Sequence, residues 1–224
     1  MTVLEMFKRC VNIGADYKHT DVNKGSYFVE YDGDTLYIYL QGSNGDVDWK
    51  NNFDFGAEPY KDMPIKWKAH RGFVRVWKEI EPFVKNDIMN PNVKKINVIG
   101  YSHGAALAVL AHEYAWFNRE DIRDNIFGHG FEPPRVFRGR KIPAELAPRW
   151  ERFYVFRNGE DIVTHIPPRI FGYKHVGNFV QINKNREILV DKTYFLKCIN
   201  EHNSQNVIAS LEAEGYDSIT MQND

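Results

Sequence analysis

The sequence of 224 residues predicts an α/β fold: a mostly parallel central sheet with antiparallel edge hairpins and flanking helices. Three observations point there. Apolar strand-like runs lie before and after one small-residue helix at 105–111, the order of a βαβ unit, whose two strands run parallel. Runs rich in β-formers at 26–31 and 35–40 meet across Asp32-Gly33, a strong hairpin signal. Helical patterns open and close the chain. A hydrophobic content of 43% over this length suffices for one substantial core. With no repeat, low-complexity tract or linker, residues 1–224 read as a single domain.

Each element has its own warrant. Thr2 and Glu5 have the spacing of a capping box, opening a helix that carries Leu4, Phe7 and Val11 on one face. Phe73, Val76, Trp77, Ile80 and Val84 recur at helical spacing over 72–90. Pro82 lacks a backbone N–H and crowds the preceding turn, so it is expected to kink that helix or divide it. Strands follow at 95–99, 125–131 and 152–157. A second hairpin pairs 179–182 with 187–190, and a closing helix spans about 204–214.

Composition removes several classes of function. The 29 basic and 30 acidic residues are interspersed and leave a net charge of −1, so the chain has no electrostatic footprint for nucleic acid. No apolar run is long enough to span a bilayer. Charges interrupt the first ten residues, which removes a signal-peptide core and predicts a cytosolic protein if this is the native start. Cys10 and Cys198 lack metal-ligand or redox spacing and read as two free buried thiols. Neither a metal nor a cofactor is expected; His165 and His175 lack a spaced acidic or thiol partner.

Reactive chemistry concentrates at 98–107, where Gly100-Tyr101-Ser102-His103-Gly104 joins a buried strand to a small-residue helix. A serine at such a turn is thrust out of the sheet as a nucleophile, with glycines letting strand and helix pack closely around it. The same turn aims the His103 backbone N–H, backed by the helix N-terminus, at a developing oxyanion. The His103 side chain is expected to be solvent-facing or hydrogen-bonded, with only its N–H at work. In the α/β-hydrolase arrangement the acid and the histidine follow the serine in that order, which removes His19 and His70; His112 drops out as a mid-helix residue. Asp161 follows the Asn158-Gly159 turn and leads into Ile162-Val163, a placement that buries its carboxylate; Glu160 is the adjacent alternative. His165, His175 and His202 all remain as candidate bases.

These stretches resemble the class 3 lipases, the α/β-hydrolases that include the fungal triacylglycerol lipases. Gln41-Gly42-Ser43 with downstream Asp48-Trp49 is similar to the family's oxyanion loop, and His70-Arg71-Gly72-Phe73 to its H-x-G-F segment. Residues 100–106 resemble its elbow, and Glu132-Pro133-Pro134-Arg135-Val136 its P-R-V strand end. The segment 158–168, continuing through Gly172-Tyr173-Lys174-His175, resembles its acid loop. The resemblance covers about 27–211. It implies Asp161 as triad acid, His202 as triad base shortly before the final helix, a non-catalytic His175, and oxyanion donors from Ser43 and His103. It also implies a lid in the insertion at about 44–59, a small-molecule ester or acylglycerol substrate, and transient contact with a lipid interface.

Departures bear on substrate choice. Gln41 replaces the usual Arg, Tyr101 and His103 replace the commoner His and Leu, and Ala105 stands where a second Gly is usual. Ser43 also reads as an ordinary turn serine, and Trp49 and Phe53 as the buried side of a short helix. The polar insertion favours soluble or short-chain esters over fat. Rival readings are a non-catalytic lipid- or protein-binding module on the same fold, and an acyltransferase or phospholipase using the same acyl-enzyme.

Overall fold

The computed structural model describes residues 1–22, 25–41, 56–59, 67–139, 144, 147–183 and 200–220. Helix α1 (Val3–Asn12) starts at the capping box: Glu5 N–H donates to the Thr2 hydroxyl at 3.2 Å and Thr2 N–H to the Glu5 carboxylate at 2.7 Å. Then come β1 (Lys18–His19), β2 (Ser26–Asp32), β3 (Thr35–Gln41), β4 (Ala57–Pro59), β5 (Lys68–His70), α2 (Arg71–Ile88) and β6 (Lys95–Tyr101). The chain continues through α3 (His103–Asn118), β7 (Ile126–Phe131), β8 (Phe137–Arg138), β9 (Phe153–Asn158), β10 (Tyr173–Lys174) and β11 (Asn178–Ile182), and reaches α4 (Ser204–Ala213).

A seven-stranded sheet in the order β1-β2-β3-β6-β7-β9-β11 forms the centre. From β3 to β11 every neighbouring pair is parallel, whereas β1, β2 and β3 pair antiparallel. The expected hairpin closes at Asp32↔Thr35 with Gly33 at φ 59, a left-handed conformation that favours glycine. Apolar side chains fill both faces. Helices α2 and α3 bury Phe73, Trp77, Ile80, Leu107 and Leu110 on one, while α1 and α4 bury Phe7, Cys10, Val207 and Leu211 on the other. Cys10 is a free thiol held up at about 12 by burial, and Cys198 lies outside the described residues.

Two features differ from what the sequence predicts. Helix α2 runs undivided through Pro82. The proline costs ~3 kcal/mol in a helix interior, but the stripe from Phe73 to Ile88 is buried, and each such side chain contributes ~1.5–3 kcal/mol. At the far edge, β11 pairs in parallel with β9, Asn178↔Tyr154 through Ile182↔Asn158; the expected hairpin arm at 187–190 lies outside the described residues. Alternating apolar residues identify a strand without naming its neighbour. Finally, a second sheet, β10-β8-β5-β4, is antiparallel throughout. Its strands are two or three residues long, too short for a period to register. Of the insertion expected as a lid, 44–55 lies outside the described residues, and Ala57–Pro59 is strand β4, paired to β5.

Candidate active site

Ser102 sits between β6 and α3 with φ 55 and ψ −125, a backbone conformation rare for a residue with a side chain. Sterics explain the glycines around it. A Cβ on Gly100 would run into the Gly104 carbonyl, and one on Gly104 would run into the Leu40 backbone. The turn is held by Ser102 N–H donating to the Phe131 carbonyl at 2.8 Å and by Ala105 N–H donating to the Ser102 carbonyl at 3.0 Å. Helix α3 is buried continuously from Gly104 to Ala115, so the serine projects from the end of a helix fixed on all sides.

Two further predicted residues converge on Ser102. His202 Nε2 lies 2.8 Å from Ser102 Oγ, and His202 Nδ1 lies 2.6 Å from Asp161 Oδ2. The imidazole side chain is 18% exposed and the aspartate 0%. Asp161 caps the short turn Ile162–His165, its Oδ1 accepting from Val163 N–H at 2.9 Å. Long-range hydrogen bonds tie this acid loop to the segment carrying the histidine. Asn158 Nδ2 donates to the Glu201 carbonyl at 2.9 Å, Ser210 donates to Asn158 Oδ1 at 2.8 Å, and Glu160 N–H donates to the Glu201 carboxylate at 2.8 Å. Arg135 donates to the His165 and Pro167 carbonyls. Tyr101 stacks on the His202 ring at 5.3 Å, and its hydroxyl donates to the His202 carbonyl.

The remaining histidines are engaged elsewhere. His175 Nε2 meets the Thr164 carbonyl at 2.7 Å, and burial lowers its pKa to about 3. His165 lies 3.7 Å from the Glu160 carboxylate, and His70 packs on Phe73 with ring centroids 4.3 Å apart. His112, behind the elbow, meets the Arg149 carbonyl at 2.8 Å and is pushed down to about 4 by burial. His103 is half-buried, its ring edge-on to Phe73 at 5.0 Å. Ser43 lies outside the described residues; the strand leading to it ends at Gln41, which pairs with Tyr101.

Sequence reasoning missed Glu132. This residue ends β7, is fully buried, and has an oxygen within 4.8 Å of ligand atoms of both Asp161 and His202. Its place in Glu132-Pro133-Pro134-Arg135 was visible in the sequence, but nothing there signals a carboxylate aimed at the acid loop. Glu132, Asp161 and His202 are the group among the described residues with donor atoms close enough for a metal ion, yet both ring nitrogens of His202 already face protein partners. The arrangement that remains is a hydroxyl, a base on it and a buried carboxylate on the base, which is the chemistry of an activated nucleophile.

A sequence model of the lipases (class 3) matches residues 37–171. A secreted mono- and diacylglycerol lipase of Fusarium solani is 28% identical over 146 residues, which cover 62% of this chain and 41% of that protein. A secreted mono- and diacylglycerol lipase of Malassezia globosa is 33% identical over 116 residues, 50% of this chain and 36% of the relative. The chain thus spans about two fifths of the length of these curated relatives. The triacylglyceride lipase structure of Rhizomucor miehei superposes with a TM-score of 0.67 at 22% identity, covering 84% of this chain and 78% of that one, and bears out the α/β-hydrolase fold. The cytosolic placement is corrected by the relatives, which are named as secreted proteins. An export leader is cleaved from a mature protein, so the composition of residues 1–10 carries no information about the compartment.

Proposed function

This chain belongs to the class 3 lipase family, and we propose that it is a serine carboxylic-ester hydrolase acting on acylglycerol-type esters through Ser102, His202 and Asp161. The observation that carries the reading is the unbroken pair of contacts, 2.8 Å from Ser102 Oγ to His202 Nε2 and 2.6 Å from His202 Nδ1 to Asp161. The acylglycerol class comes from the relatives' names, which also support an extracellular site of action.

The mechanism follows from the parts. His202 takes the Ser102 proton as Oγ attacks the ester carbonyl, and Asp161 holds the imidazole tautomer and stabilises the imidazolium. The His103 N–H, at the first residue of α3, and Ser43 stabilise the oxyanion; losing one such donor costs ~10²–10³ in kcat. The alcohol leaves with the proton from His202. The same imidazole then activates water, which hydrolyses the acyl-enzyme.

The test is hydrolysis of p-nitrophenyl esters from acetate to palmitate beside fluorophosphonate labelling. Turnover and labelling in the wild type, with both absent in Ser102→Ala, is the expected result. A wild type that neither turns over nor labels, in solution or at a lipid interface, overturns the reading in favour of a binding module.

A further inference from the structure

We propose that Glu132 is a positioning residue for the His202–Asp161 pair, a buried carboxylic acid that donates its proton in a hydrogen bond to the Asp161 carboxylate. The inference rests on the reading of Ser102, His202 and Asp161 as the triad.

The backbone is the first observation. Glu132 has φ 54, a left-handed conformation that favours glycine, yet the residue here carries a long acidic side chain. Its N–H is tied to the Phe156 carbonyl at 2.9 Å, and the preceding residue, Phe131, accepts from Ser102 N–H, so this corner is built into the elbow and the acid strand together.

The second observation concerns donors and acceptors. The side chain is 0% exposed, and Oε1 accepts from the Asn158 backbone N–H. Oε2 meets no donor among the described residues, while a carboxyl oxygen of Glu132, one of Asp161 and a ring nitrogen of His202 lie within 4.8 Å of one another. Two ionised carboxylates are both acceptors only, so an adjacent buried pair repels and leaves an oxygen unsatisfied. One proton on Glu132 removes the repulsion and converts the orphaned acceptor into a donor.

The surrounding charges agree with that placement of the proton. Burial, then the Asp161 side chain, push the Glu132 carboxyl well above its ordinary range; the Asn158 N–H and the Arg157 guanidinium oppose the shift. Tyr101, His202, and His165, which feels the Asp161 charge, are among the titratable groups nearby, and the buried Tyr101 phenol is itself held up by burial, then by Glu132 and Asp161, with Cys10 adding to the shift. Asp161 therefore receives three donors: Val163 N–H on Oδ1, His202 Nδ1–H on Oδ2, and the Glu132 carboxyl. The third spreads the aspartate charge and holds its plane toward the imidazole. Loss of the Glu132 proton at alkaline pH would set two carboxylates against each other and misalign His202.

The test uses two variants, with fluorophosphonate labelling of Ser102 and hydrolysis followed from acid to alkaline pH. Glu132→Gln keeps an N–H donor toward Asp161 and an acceptor for Asn158 but has no proton to lose. We expect near wild-type labelling at neutral pH and an alkaline limb moved to higher pH. Glu132→Gly suits φ 54 and removes the donor. Labelling about 10- to 100-fold slower is expected, the equivalent of one lost charge-assisted hydrogen bond. Profiles of both variants that superimpose on the wild type overturn the inference, as does a Gln variant as slow as the Gly variant. If the Gly variant fails to fold, an alkaline limb of Glu132→Gln unchanged from wild type overturns it alone. Absence of labelling in the wild type would instead count against the triad reading, so the two failures are distinct.

Discussion

The elbow and the acid loop meet at one imidazole but are held by different forces. At the elbow, placement is steric: Gly100 and Gly104 bring backbone against backbone, and α3 behind them is buried from Gly104 to Ala115. The acid loop, by contrast, is held by polar groups from distant parts of the chain. Arg135 grips the His165 and Pro167 carbonyls, Asn158 and Glu160 bind Glu201, and His175 meets the Thr164 carbonyl. The contrast teaches that Ser102 is placed by what its neighbours lack, and Asp161 by hydrogen bonds whose partners must all arrive.

The comparison breaks most sharply at the meeting point. Asp161→Asn retains the loop's shape but stabilises the wrong imidazole tautomer, so kcat should fall by about 10⁴, measured on p-nitrophenyl esters, with little change in thermal stability. Gly104→Ala tests the steric side. Its methyl would enter the Leu40 backbone, and a loss of stability of at least ~1–3 kcal/mol is expected by denaturant titration. An unchanged midpoint would show that the close approach can relax.

Arg135→Met tests the polar side. Removing a buried guanidinium from two carbonyls should cost about 1.5–3 kcal/mol, with hydrogen exchange at Val163 and Ile166 accelerating more than in α3. Uniform exchange would erase the distinction between the regions. The distinction is also sharpened through pH. His112 is held at about 4, below the ordinary 6.5, so between those values the unfolded chain binds more protons than the folded one. Its contribution is present above pH 6.5 and lost as pH falls toward 4, so His112→Leu should flatten the stability profile in that window. Tyr101→Phe comes last: it keeps the stack on His202 but loses the hydroxyl's bond, and the melting curve should register about 0.5–1.5 kcal/mol.

Legibility of the fold followed the same division. The capping box, the Asp32-Gly33 hairpin and the strand and helix around Ser102 are local patterns, and each stands where its pattern places it. Proline at 82 misleads because a propensity of a few kcal/mol is outweighed by tertiary burial of the same helix. Strands β4, β5, β8 and β10 are too short to show a period, and the parallel pairing of β11 depends on which strand reaches it.

The candidate site divides likewise. Ser102 is legible because an elbow needs glycines two residues on either side. The residues alone left His165, His175 and His202 open, and only a family resemblance distinguished them. Glu132 announced nothing, since a glutamate before two prolines has the same composition whether it faces solvent or an aspartate.

By itself, then, the sequence determined what depends on neighbours in the chain: the strained serine turn, the capped helix, the hairpin and the apolar stripes. Those features follow from backbone sterics and from which face of an element is apolar. Tertiary structure decided which imidazole meets Ser102 from 100 residues away, which carboxylate meets that imidazole from 41 residues away, and that a second carboxyl group lies buried beside them. The physical reason is that hydrogen bonds and burial act over ångströms in space, and chain separations of that size contain no record of which groups the fold brings within reach.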